Sequence, residues 1–92
     1  MRTIDLPYPA SDPGPTLSRF CAAERLSLSQ RMTAAAGKRH WHIYCPGQTG
    51  TLELTWWPAR QRLWLKVASN REGVWIDETI ARLSTALQPR EP

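Results

Sequence analysis

The sequence predicts an α+β fold of order α-β-β-β-α: a three-stranded antiparallel meander with two helices packed on one face. Three observations predict it. Thr51–Val67, TLELTWWPARQRLWLKV, alternates apolar and polar residues in two runs separated by a proline-led tetrapeptide. Lys38–Cys45, KRHWHIYC, alternates in the same way. The stretches on either side, Thr16–Ala36 and Val74–Leu87, carry apolar residues at helical spacing.

The chain has 92 residues, enough for one small domain with a modest core. Residues 1–15 hold four of the eight prolines, Pro7, Pro9, Pro13 and Pro15, and read as an extended segment preceding a single domain over residues 16–88. Ile4, Leu6 and Tyr8 alternate, which leaves room for an edge strand over residues 2–6 before the prolines stop it. Residues 89–92 read as a frayed tail.

The first helix is expected over Thr16–Ala36, capped by Thr16 or Asp12 and ended by Gly37. Its stripe is Leu17, Phe20, Cys21, Leu28, Met32 and Ala35. Glu24 interrupts that stripe, and Ser27 and Ser29 lower the propensity, so a break is expected near Leu26–Ser29 if anywhere.

In the first strand Trp41, Ile43 and Cys45 point one way, and His40, His42 and Tyr44 the other. The hairpin follows after Pro46-Gly47-Gln48-Thr49-Gly50. With Pro58-Ala59-Arg60-Gln61 as its loop, Trp57 faces Arg62, Thr55 faces Trp64 and Glu53 faces Lys66; on the other side Trp56 meets Leu63, Leu54 meets Leu65 and Leu52 meets Val67. Bringing the apolar faces together sets Cys45 near Leu52, Ile43 near Leu54 and Trp41 near Trp56. The outer rows become Tyr44–Glu53–Lys66, His42–Thr55–Trp64 and His40–Trp57–Arg62. Residues 68–73, ASNREG, form a loop. The second helix, Val74–Leu87, has Asp77 and Glu78 in its first turn and the stripe Ile76, Ile80, Leu83, Leu87.

Charge is uneven. Residues 31–71 hold seven basic residues against Glu53, a net +6, while the flanks sum to −2. This asymmetry, on an outer face bearing aromatic rings, points to a nucleic-acid partner. Trp57, Trp64, His42 and Tyr44 would stack on bases, with His40 beside them; Arg60, Arg62, Lys66, Lys38 and Arg39 would meet phosphates. The competing reading is a protein interface or homodimer through the same face, since Trp, Tyr and Arg dominate such contacts. The plainest reading is an Arg-rich surface that only solvates.

A zinc site built from His40, His42, Cys45 and Cys21 fails on parity: the imidazoles leave one face of the strand and Cys45 the other. No metal or other cofactor is therefore expected. Cys45 with His42, or His42 with Glu53, can be drawn as catalytic pairs, but neither has a base with an orienting partner, and a non-enzymatic binding module is expected. Two cysteines make no disulfide framework, MRTIDLPYPASDPGP has no apolar leader, and no run is long enough to span a bilayer; a cytoplasmic protein without membrane contact is expected.

Overall fold

A computed structural model describes residues 2–9, 11–32, 37–67 and 73–88. The expected α+β class is present, but the sheet has five strands among the described residues. These are β1 (Arg2–Leu6), β2 (Ser27–Met32), β3 (Arg39–Tyr44), β4 (Leu52–Trp57) and β5 (Arg62–Val67), in spatial order β1-β5-β4-β3-β2. Every neighbouring pair is antiparallel. Helix α1 (Gly14–Glu24) carries the chain from the β1 edge to the β2 edge, and α2 (Val74–Ala86) follows β5. Neither helix is long and apolar enough to cross a membrane.

The three-strand expectation fails at both edges, for different reasons. Residues 2–6, foreseen as an optional strand, pair with β5 from Arg2↔Val67 to Leu6↔Leu63. Residues 27–32, expected to be helical, form β2 instead. Helix α1 stops at Glu24 because Arg25 turns into the left-handed region (φ 57°, ψ 40°). There the Leu26 N–H donates to the Cys21 carbonyl at 2.8 Å and the Arg25 N–H to that of Ala22 at 3.3 Å, a Schellman closure without its usual glycine. Beyond it Leu26-Ser27-Leu28-Ser29 alternates with a period of two. Leu26 and Leu28 pack against the core. At the other end, Asp12 Oδ1 accepts the Gly14 N–H at 2.8 Å, and Pro15 occupies the first turn, where a missing N–H costs nothing.

The apolar side of the sheet lies beneath both helices. Trp41, Ile43, Leu52, Leu54, Leu63, Leu65 and Val67 are buried together with Leu17 and Cys21 of α1 and Trp75, Ile76 and Leu83 of α2. Trp56, the eighth residue expected there, is half-buried against that cluster. Arg82 Nε of α2 meets Glu24 Oε1 of α1 at 2.9 Å across the helix pair.

The β4–β5 hairpin has the expected register, from Glu53↔Lys66 to Trp57↔Arg62. Its loop is a 3-10 turn, Pro58–Arg60, closed by the Gln61 N–H on the Pro58 carbonyl at 3.0 Å. The β3–β4 register differs from the expected one by two residues: Ile43 pairs with Leu52, Trp41 with Leu54 and Arg39 with Trp56. A two-residue slip preserves parity, so the apolar faces still coincide. The connecting residues 45–51 are drawn out of the ladder to hold α2. Trp75 Nε1 donates to the Thr49 carbonyl at 2.7 Å, and Gly73 sits so close that a Cβ there would lie 2.2 Å from the same oxygen. Most of the expected 68–73 loop and the 89–92 tail lie outside the described residues.

That close approach makes Gly73 a sensitive position. Gly73→Ala should destabilise the protein by about 1–3 kcal/mol, as overpacking does. In a thermal melt this is a fall in Tm of several degrees, at roughly 4–8 °C per kcal/mol for a domain of this size. An unchanged Tm would show that the loop does not rest on α2.

Candidate functional site: a polar and aromatic sheet face

The face of the sheet turned away from the helices carries the candidate residues. Register sets Lys66 between Thr3 and Glu53, and Trp64 between Asp5 and Thr55. His42 stands between Ser29 and Glu53, and His40 opposite Thr55. Trp57, Trp64, His40, His42, Tyr44 and Lys66 are each half-buried on this face, and Arg60 and Arg62 are exposed. The three rings expected to be uncovered, His42, Trp57 and Trp64, are therefore not sealed in the core.

Cations already sit on the indoles. Lys38 Nζ lies 4.1 Å from the Trp57 ring centroid and the Arg60 guanidinium 5.4 Å from it. The Arg62 guanidinium lies 4.7 Å from the Trp64 ring. Such contacts combine quadrupole attraction with shielding of the ring by the side-chain stem. Arg62 also pairs with Asp5 of β1 at 2.9 Å, so the fifth strand dilutes the positive field of the face.

Arg39 does not belong to this surface. It alternates with His40 and therefore leaves the helix-bearing side, where it pairs with Asp12 and lies over Trp41 at 5.4 Å. Its expected role at phosphates is corrected on that ground, and the parity of the strand already contained the correction.

The register slip brings His40, His42 and Glu53 together. His40 Nε2 lies 3.1 Å from Glu53 Oε1 and 3.1 Å from His42 Nε2, and His42 Nε2 lies 3.9 Å from Glu53 Oε1. On their far sides, His40 Nδ1 meets Thr55 Oγ1 at 2.7 Å and His42 Nδ1 meets the Tyr44 hydroxyl at 3.2 Å. Thus the Glu53 carboxylate turns to the imidazoles, although Lys66 stands opposite it in the ladder. Thr55, His40 and Glu53 align as hydroxyl, imidazole and carboxylate. Thr55 is only 5% exposed, and its hydroxyl stands against the His40 ring. Sequence reasoning draws the His42–Glu53 pair and sets Thr55 beside His42; the observed register brings Thr55 opposite His40 instead, and the Tyr44 contact with His42 is one it misses.

The cysteines stand apart from this cluster. Cys21 is buried in the core, and burial pushes its thiol up to about 11. Cys45 is half-buried and packs against the same core. Comparison with known proteins matches no family model, no curated sequence and no solved structure.

The two thiols should separate chemically. In native protein at pH 8, a maleimide or disulfide reagent should modify Cys45, while Cys21 reacts only after denaturation, because its thiolate is suppressed until pH passes well above the ordinary thiol range. Mass spectrometry of the labelled chain reads this directly. Equal labelling of both would contradict the burial of α1 on the sheet.

Proposed function

We propose that the helix-free sheet face binds single-stranded nucleic acid, centred on Trp57. The observation that carries this reading is the Trp57 indole flanked by Lys38 and Arg60 on a face that neither helix covers. An indole with cations at its margin suits a nucleotide: the ring stacks on a base, and the cations swing to its phosphates. Trp64 with Arg62 repeats the arrangement on the next strand, and Lys66 extends the basic side of β5. Because every base presents a π-face, such contacts tolerate many sequences, and salt sets the affinity.

A second reading is a protein interface on the same face. It is favoured by the Asp5–Arg62 pair: β1 brings onto this face an acid that the sequence count assigns to the flanks, and this lowers the cationic excess there. The half-buried Trp57, Trp64 and Tyr44 would then anchor a protein partner or a second copy of the chain.

Titration of fluorescent single-stranded oligonucleotides separates the two. Trp57→Ala should weaken binding by about 10- to 100-fold, in line with roughly 1–3 kcal/mol per stacked base. Arg60→Ala should flatten the dependence of log K on log salt by about 0.7 for each phosphate that the side chain no longer neutralises. Arg39→Ala, on the other side of the sheet, should leave affinity unchanged. Absence of binding to single- and double-stranded probes at low salt would overturn the proposal, and a dimer in sedimentation that Trp57→Ala abolishes would favour the second reading.

A further inference from the structure

The His40, His42 and Glu53 cluster has a chemistry that nucleotide stacking does not use. Its facing donor atoms are two imidazole nitrogens and one carboxylate oxygen, separated by 3.1, 3.1 and 3.9 Å. The circle through three atoms so spaced has a radius of about 2.0 Å, so a point just off their plane is equidistant from all three at a zinc–ligand bond length, about 2.0–2.1 Å. The edge of a tetrahedron with such bonds is about 3.4 Å, close to the mean of the three separations.

The outer sides of the rings have partners that allow the tautomers such a site requires. Thr55 Oγ1 and the Tyr44 hydroxyl each stand within hydrogen-bond reach of an Nδ1. When each hydroxyl accepts the Nδ1 proton, both Nε2 atoms turn lone pairs toward the carboxylate. Three acceptors then converge on one point, and a cation there relieves their mutual repulsion. The frame is two paired strands. His40 and His42 leave one face of β3, and Glu53 leaves the same face of β4, so the donors need no loop to move into place.

We infer that His40, His42 and Glu53 bind one divalent transition-metal ion of the zinc type. Mixed imidazole and carboxylate donors suit such an ion, whereas calcium and magnesium take oxygen shells. The three side chains are 20%, 24% and 21% exposed, so a fourth coordination position faces solvent and takes water or an anionic group of a ligand. This set differs from the cysteine-containing one that parity excludes: Glu53 replaces Cys45 and lies on the imidazole side. The inference rests on donor geometry and stands whether or not the face binds nucleic acid.

Calorimetric titration of the metal-free full chain with Zn2+ tests it, with circular dichroism confirming the fold of each variant. One ion should bind per chain. Glu53→Gln and His42→Gln should each weaken binding by at least about 100-fold, and Thr55→Val by roughly 10-fold, as removal of an outer hydrogen-bond partner does. Cys45→Ser should retain wild-type affinity. On the wild-type chain, Co2+ should give the strong visible bands of a four-coordinate site without a thiolate charge-transfer band. No uptake of Zn2+ at tens of micromolar, undiminished binding by Glu53→Gln, or loss of binding in Cys45→Ser would overturn the inference.

Discussion

The pairing of β3 with β4 is the constraint on which the rest of the structure depends. One register satisfies three demands at once. It lays Trp41 and Ile43 against Leu54 and Leu52 beneath the helices. It releases residues 45–51 to hold α2 through Trp75 and Gly73. On the other side of the sheet it sets His42 opposite Glu53 and His40 opposite Thr55. Burial of the apolar face fixes parity, since a one-residue slip would turn leucines to solvent. Parity alone leaves slips of two residues open, and in the observed register Thr49 of the connection meets Trp75 and Gly73.

The two sides of the sheet consequently do different things. The helix-bearing side supplies stability through a continuous apolar cluster, at roughly 25 cal/mol for each Å2 removed from water. On the opposite side many polar groups stand in mutual contact, although the buried Trp57 Nε1 has no hydrogen-bond partner among the described residues. Cations lie on indoles, Asp5 holds Arg62, and Thr55 and Tyr44 each stand within hydrogen-bond reach of an imidazole Nδ1. Side chains held by such contacts lose less freedom on binding, so the arrangement suits the proposed role of this face.

Much of the fold is legible in the sequence because alternation is a strong signal. The hairpin register can be read from Glu53 to Lys66, and Pro58 marks its turn. α2 is legible from its stripe and from Asp77 in its first turn. β2 is hidden because Leu17, Cys21, Leu28 and Met32 also fit a helical spacing, and because Arg25 supplies a left-handed closure that sequence usually signals with glycine. The Leu-Ser-Leu-Ser alternation is the contrary evidence. At the candidate site, the face of each residue follows from parity, and Arg39 is misplaced only where parity is not applied. The grouping of Glu53 with both imidazoles depends on a register that the length of the 45–51 connection leaves undetermined.

Interstrand NOEs in the NMR spectrum of the labelled chain test the register most directly. Backbone contacts linking His42 to Glu53 and His40 to Thr55 are predicted. Contacts linking Tyr44 to Glu53 and His42 to Thr55 would contradict it, and would separate the donors on which the metal site depends.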